Sequence, residues 1–123
     1  GRIIPYEMID TPLTFETLLG AGAVTVYDET RDVIDIVYRT MEFLAEESCG
    51  ECTPCRQGTE VMLETLDEFN RGEGREQDIK NLEDLAGTMM IASLCGLGQA
   101  APNAVVDTLQ HFRDDYENRI RAV

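Results

Sequence analysis

The stretch ESCGECTPCRQG, residues 47–58, decides the fold because it carries three of the chain's four cysteines and the start of a helix. Two residues separate Cys49 from Cys52 and Cys52 from Cys55, and Cys95 follows in SLCGLGQAAPN at 93–103. Three thiols this close leave one over when they pair as disulfides, whereas four thiolates can hold an iron–sulfur cluster. The pattern therefore predicts a 4Fe–4S cluster with all four cysteines as ligands, and electron transfer as the function.

Three other uses of the cysteines are open at this point. A structural zinc site also takes four thiolates, although its cysteines usually come as two separated pairs. A disulfide scaffold requires secretion, of which the sequence shows no sign. A radical centre with three cysteines and an open iron would have a first gap of three residues and no fourth cysteine. The zinc-binding interaction module is the main alternative to an electron carrier.

Small and hydroxyl-bearing residues surround these cysteines. Gly50 and Gly96 allow a tight backbone that approaches a cluster closely, and the hydroxyls of Ser48 and Thr53 can bond to sulfur and tune its potential. Cys55 falls in the first turn of a helix, where free amide hydrogens and the helix dipole favour a thiolate. We therefore predict that the two glycines, Ser48 and Thr53 contact the cofactor.

Apolar residues recur at helical spacing through most of the chain, and they predict four amphipathic helices. The predicted ranges are 31–46 (capped by Thr30 or Asp28), 53–70, 76–91 and 102–121. Thr53 and Pro54 form a capping and first-position pair at the start of the second helix. The predicted core positions are Val33, Val37, Met41, Leu44, Val61, Met62, Leu66, Phe69, Ile79, Leu82, Leu85, Ala86, Met89, Met90, Val105, Val106, Leu109, Phe112, Tyr116 and Ile120.

Four such helices joined by short loops favour an all-α, antiparallel four-helix bundle. The loops before the second and fourth helices lie at the same end of such a bundle. Because Cys95 precedes the fourth helix and the other cysteines precede or begin the second, this topology brings all four together. The cluster is therefore expected at one end of the bundle.

The first 29 residues follow a different pattern. A short helical turn is predicted after Thr14, and AVTVYD at 23–28 alternates like one strand. Because a lone strand is not a stable unit, these residues are interpreted as the end of a domain whose remainder lies upstream. The two predicted domains are residues 1–29 and residues 30–123.

The composition limits the partners. The formal net charge is −14, with 24 acidic residues against 10 basic ones and a single lysine. Such a surface repels phosphate backbones, so nucleic acid is excluded as a partner; the same acid excess is compatible with adaptation to high salt. No apolar run has the length of a membrane span and no secretory leader is visible, so we expect a cytoplasmic protein.

Together, ESCGECTPCRQGT, SLCGLGQAAPN and HFRDDYENRI resemble the flavoprotein subunit family. This family includes the NADH-binding subunit of respiratory complex I and the diaphorase subunits of NAD(P)-reducing hydrogenases and NAD-dependent formate dehydrogenases. The resemblance covers residues 11–120 and includes TPLTFETLLGAG. Glu51 and the sequence after Cys95 depart from the complex I pattern and favour the hydrogenase and formate dehydrogenase branch.

The resemblance implies one 4Fe–4S cluster on the C-terminal helical bundle, preceded by a β-grasp domain to which residues 1–29 would belong. FMN and NAD(P)H would bind further upstream, in a part of the parent subunit that this chain does not contain. The implied partners are that flavin domain and other iron–sulfur subunits, including a thioredoxin-like 2Fe–2S subunit. The parent subunit would be an oxidoreductase, peripheral to the inner membrane face where its complex is membrane-bound, and the 123-residue chain alone would not oxidise NADH.

Overall fold

The computed structural model describes residues 2–17 and 20–122. After a 3-10 turn at Tyr6–Met8, six helices follow: α1 (Val33–Glu47), α2 (Thr53–Asn70), α3 (Glu76–Ala92), α4 (Gly96–Ala100), α5 (Asn103–His111) and α6 (Arg113–Glu117). These described residues contain no β-strand, only an isolated bridge between Gly74 and Ile120. The all-α class expected from the sequence agrees with this content.

Helices α1 and α2 form a hairpin whose loop carries Cys49. The N-cap of α1 is Asp32, whose carboxylate accepts a hydrogen bond from the Ile34 amide at 3.0 Å. The predicted caps Thr30 and Asp28 are therefore wrong, because Asp28 bonds to Thr30 within the preceding turn. Helix α2 covers the predicted range, but its N-cap is Cys52 and not Thr53, which is the first residue of the helix and makes no side-chain capping bond.

The long fourth helix predicted at 102–121 is instead two helices, α5 and α6, preceded by the short α4 that follows Cys95. The break between α5 and α6 is at Phe112, whose φ of −131° and ψ of 37° are not helical. The break lets Tyr116 turn inward, where its hydroxyl lies 2.7 Å from the Thr108 hydroxyl. The apolar spacing of 105–120 is compatible with one helix, so the periodicity alone did not reveal the break.

One hydrophobic core joins the helices, with α1 contacting α2 and α5, and α3 contacting α2 and α5. Val61 was predicted to be in this core, but its side chain is 49% exposed and lies on the outer side of α2. The fully buried core residues are Ile34, Val37, Met41, Met62, Leu66, Phe69, Leu82, Ala86, Met89, Ala101, Val105 and Tyr116. At Gly58 the helices α2 and α3 approach closely, since a Cβ there would stand 2.5 Å from the Met89 sulfur.

The described residues of the N-terminal segment, 2–17 and 20–32, are mostly exposed and form turns but no long helix. The predicted strand at 23–28 is wrong, because a strand needs a partner for its backbone hydrogen bonds and none lies beside it in the part of the chain that the structure describes. The turn predicted after Thr14 is present at 15–17, and its continuation through Leu18 and Leu19 lies outside the described residues. Arg2 binds Asp107 of α5 through two hydrogen bonds of 2.8 and 2.7 Å, which attach the segment to the helices.

Candidate metal centre

The four cysteines occupy two loops and the two helix starts that follow them. Cys49 is exposed in the loop after α1, Cys52 is the N-cap of α2, and Cys55 is buried in the first turn of that helix. Cys95 is exposed and is the N-cap of α4. All four are free thiols, so none is committed to a disulfide in this structure.

The tertiary structure brings the two cysteine loops together. The backbone amide of Leu94, the neighbour of Cys95, bonds to the thiol of Cys52, and this is the main cause that lowers the pKa of Cys52. A second backbone bond, from Cys55, lowers it further, while burial acts in the opposite direction. A thiol held in this way is disposed to become a thiolate, the form that binds metal.

Ser48 lies beside the buried cysteine. Its Oγ is 3.3 Å from the Sγ of Cys55 and accepts a hydrogen bond from the Gly50 amide at 3.3 Å. Gly50 has a φ of +74°, a left-handed conformation that a side chain would strain. These contacts place Ser48 and Gly50 in the loop that follows α1, next to the sulfur of Cys55.

The side chain of Arg56 forms hydrogen bonds with the loop between α1 and α2 and with the first residue of α2. Its guanidinium donates to the Gly50 carbonyl at 2.6 Å and to the Thr53 hydroxyl at 3.4 Å. The Thr53 hydroxyl is therefore paired with an arginine and not with a sulfur, and its contact with a cofactor stays a prediction. The arginine is a positive charge beside the three clustered cysteines, in a chain that is otherwise strongly acidic.

Two glycines follow Cys95, and the neighbours of the second one, Gly98, leave no room for a side chain. A Cβ on Gly98 would stand 2.6 Å from the Cβ and Oγ of Ser93 and 2.8 Å from the Cβ of Cys55. A Cβ on Gly96 would meet nothing within 4 Å, so its predicted role toward a cofactor stays a prediction. The sequence places Gly98 three residues after Cys95, but its contact with Ser93 was not predicted.

The chemistry of these groups fits an iron–sulfur cluster. The four thiols lie at the loops and helix starts of one end, one with a lowered pKa, and the buried Ser93 hydroxyl near Cys55 has no hydrogen-bond partner in the described chain. Within residues 2–17 and 20–122, no three histidine, cysteine or acidic side chains converge on a point where they would hold a single metal ion. The ligands of a cubane bind different irons, and they stand further apart than the ligands of a single ion.

Comparison with known proteins identifies the class of this site. The sequence model of a family described as the NADH-ubiquinone oxidoreductase-F iron–sulfur binding region matches residues 35–119. This match spans both cysteine loops and runs from α1 through α6. The chain belongs to this family of iron–sulfur binding regions, and the resemblance found in the sequence is confirmed.

The similar proteins are components of two kinds of oxidoreductase. The 51 kDa subunit of mitochondrial NADH-ubiquinone oxidoreductase from Neurospora crassa is 36% identical over 126 residues, which cover 97% of this chain and 26% of that protein. The NADP-reducing hydrogenase subunit HndC of Solidesulfovibrio fructosivorans is 32% identical over 126 residues, covering 98% of this chain and 26% of that protein. The chain thus spans about a quarter of the length of the relatives it matches.

A solved structure shares the fold. The crystal structure of an NAD+-reducing [NiFe]-hydrogenase in the air-oxidised state superposes with a TM-score of 0.92 at 38% identity, covering 98% of this chain and 22% of that one. No helix in the described part of this chain is both long enough and apolar enough to cross a membrane.

Proposed function

We propose that this chain is an electron-transfer module that binds one 4Fe–4S cluster through Cys49, Cys52, Cys55 and Cys95. The observation that carries the proposal is the meeting of the two loops: a Cβ on Gly98, three residues after Cys95, would stand 2.8 Å from the Cβ of Cys55, and the Leu94 amide bonds to the Cys52 thiol. A distant fourth cysteine can complete a cluster only if the fold returns it to the other three. The bonded neighbour of Cys95 supports its position at the same end of the molecule.

When bound, the cluster supplies the one-electron redox change. The residues of this chain hold it and set its surroundings. The amides at the start of α2 and the Leu94 amide favour anionic sulfur, Ser48 lies beside the Cys55 sulfur at 3.3 Å, and Arg56 holds the loop in its bent form. These groups stabilise negative charge at the site without donating or accepting a proton.

The finer architecture is part of the proposal. We assign residues 30–123 to an antiparallel four-helix domain in which α1, α2, α3 and α5 are the long members and the cluster lies at one end. We assign residues 1–29 to a β-grasp domain, supported by the alternating residues Val24 and Val26, which are 67% and 90% exposed. Apolar side chains this exposed are typical of a surface that a neighbouring segment covers.

The parent protein is proposed to pass electrons singly between FMN and partner iron–sulfur centres, with NAD(P)H as the hydride donor or product. Its partners would be the flavin domain and other iron–sulfur subunits, among them a thioredoxin-like 2Fe–2S subunit, on the cytoplasmic side of any membrane. The solved hydrogenase and the two relatives are linked to NAD(P)H or ubiquinone by their names, which supports this context. The hydrogenase and formate dehydrogenase branch is favoured by the sequence after Cys95.

Anaerobic reconstitution of the 123-residue chain with iron and sulfide tests the proposal. We expect about four irons and four sulfides per chain, broad visible absorption that bleaches on reduction, and an EPR signal in the reduced state. Cys95→Ser should lose this EPR signal, whereas Cys55→Ser should also lose most of the bound iron because that sulfur is the buried one. Stoichiometric zinc without iron would instead establish the zinc-binding interaction module. NADH oxidation by this chain alone would contradict the proposal that FMN and NAD(P)H bind in another part of the parent protein.

A further inference from the structure

Ser93 ends α3 at the cysteine end of the molecule and is the C-cap of that helix. Its backbone amide donates to the Met89 carbonyl at 3.1 Å, and its carbonyl accepts from the Gln99 side chain at 3.0 Å. The residue is only 4% exposed, yet its hydroxyl oxygen is buried without a hydrogen-bond partner among the residues that the structure describes. A buried hydroxyl without a hydrogen-bond partner lowers the stability of the fold. We therefore expect a bound ligand to supply an acceptor for the Ser93 hydroxyl.

The hydroxyl lies beside the cysteine site. The Oγ of Ser93 and the Cβ of Cys55 stand 2.6 and 2.8 Å from the same point, the place where a Cβ of Gly98 would be. The two atoms are therefore near neighbours on either side of a glycine that has room for no side chain. The absence of a side chain at Gly98 leaves this small space between the hydroxyl and the first turn of α2.

Serine occurs twice in this chain, and both serines flank the site. Ser48 precedes Cys49 directly, and Ser93 precedes Cys95 by two residues. The Ser48 hydroxyl already has the Cys55 sulfur as a partner at 3.3 Å. Ser93 is the corresponding hydroxyl from the other loop, and it differs in having no protein partner in the described chain.

We propose that the Ser93 hydroxyl donates a hydrogen bond to a sulfur of the bound cluster and thereby raises its reduction potential. The inference rests on the proposed function, since it requires the cluster to be held there. A donor to sulfur favours the state with one more negative charge. The hydroxyl keeps its proton in both states, so one electron is exchanged with the redox partner and no bond in the protein forms or breaks.

Three variants separate this role from simple packing. Ser93→Ala removes the donor, Ser93→Thr keeps it, and Thr88→Ala removes an exposed hydroxyl from the same helix as a matched control. After reconstitution, iron and sulfide counts establish that each variant is loaded. An EPR-monitored redox titration then measures the potential.

We expect Ser93→Ala to have a lower potential than the unchanged chain, with Ser93→Thr and Thr88→Ala remaining near the original value. A fully loaded Ser93→Ala protein with an unchanged potential would overturn this inference alone. Failure of the unchanged chain to bind iron would overturn the proposed function and this inference with it.

Thermal unfolding with and without the cluster gives a second readout. In the metal-free chain the hydroxyl has no partner among the described residues, so Ser93→Ala should melt at the same temperature as the unchanged chain or higher. In the loaded chain it should melt lower, since the bond to sulfur is lost. An equal loss of melting temperature in both forms would show that Ser93 acts only in packing and would overturn the proposal.

Discussion

The two ends of the helical domain differ in how completely their side chains are packed and hydrogen-bonded. At the end away from the cysteines, the rings of Phe69 and Tyr116 meet edge to face with centroids 5.4 Å apart, and neither residue is exposed. At the cysteine end, two thiols are exposed, a buried hydroxyl is unpaired among the described residues, and Leu94 is 77% exposed. The first end is completed by packing, whereas the second has polar groups and thiols without a partner in the described part of the chain.

This difference means that stability and function are separated along the helices. The aromatic end should set the stability of the metal-free chain, and the cysteine end should set how the chain responds to iron. Substitutions at the aromatic end should therefore leave iron binding largely intact.

The largest effect is expected from Phe69→Ala. The ring is fully buried against Tyr116 and lies where a side chain on Gly74 would stand, so its removal leaves a cavity that should cost about 3–5 kcal/mol of unfolding free energy. Phe43→Ala is the matched control, because that ring is exposed and its loss should change stability by less than about 0.5 kcal/mol. Urea denaturation of the metal-free chain measures both, and equal losses would contradict the assignment of stability to the aromatic end.

The next effect concerns alkaline pH and the same end of the molecule. Burial raises the pKa of Tyr116 to about 12 from an ordinary value of 10, with the bond to Thr108 acting in the other direction. The unfolded chain therefore loses this proton first, and stability that is intact below about pH 10 falls as the pH rises toward about 12. The full difference corresponds to about 2.7 kcal/mol.

The comparison for that measurement is Tyr116→Phe, which has no phenolic proton to lose. Unfolding free energies of the two proteins between about pH 8 and about pH 12 should diverge in slope only above about pH 10. Parallel curves across the whole range would show that Tyr116 does not carry the alkaline loss.

Gly98→Ala tests the cysteine end. The added Cβ would collide with Ser93 and Cys55, and such overpacking typically costs about 1–3 kcal/mol. Because the collision reaches Cys55, the variant should also bind less iron on reconstitution. Gly87→Ala in the middle of α3 is the control: its Cβ meets nothing within 4 Å, so it should stabilise the helix by about 0.5–1 kcal/mol and bind iron normally. A fully loaded Gly98→Ala protein would show that the space beside Cys55 is not needed.

The smallest effect is expected from Asp32→Ala, which removes the N-cap of α1 and the ion pair of 2.7 Å with Arg119. Loss of the cap should cost about 1 kcal/mol without changing iron binding. Burial acts to raise the pKa of Asp32, but the hydrogen bond and charge of Arg119 and the helix amides lower it overall. The stabilisation by Asp32 is therefore present at neutral pH and is lost as the pH falls through the acidic range. A Glu42→Ala variant, in which the cap is intact, should keep this decrease in stability at acidic pH.

Local signals in the sequence were sufficient for the parts of the fold that depend on nearby residues. The range of α2 from Thr53 to Asn70 was predicted, because a proline in the first turn and glycines after the last turn act within a few residues. Its cap is Cys52, whereas Thr53 was predicted. Asp32 was missed as a cap because three closely spaced capping candidates, Asp28, Thr30 and Asp32, precede α1. Only their contacts in the folded chain, such as that with Arg119, separate them.

What the sequence determined by itself is the candidate donor set: four cysteines in a three-plus-one arrangement, placed before or in the first turn of two helices, in a chain of predominantly helical pattern. The tertiary structure alone decided that Phe112 interrupts the last long helix, that Val61 faces outward, and that Ser93 and Gly98 stand against Cys55. Apolar spacing records which residues share a helix face, but it carries no information on which face meets which neighbour. Contacts between residues that are far apart in the sequence exist only once the helices have packed.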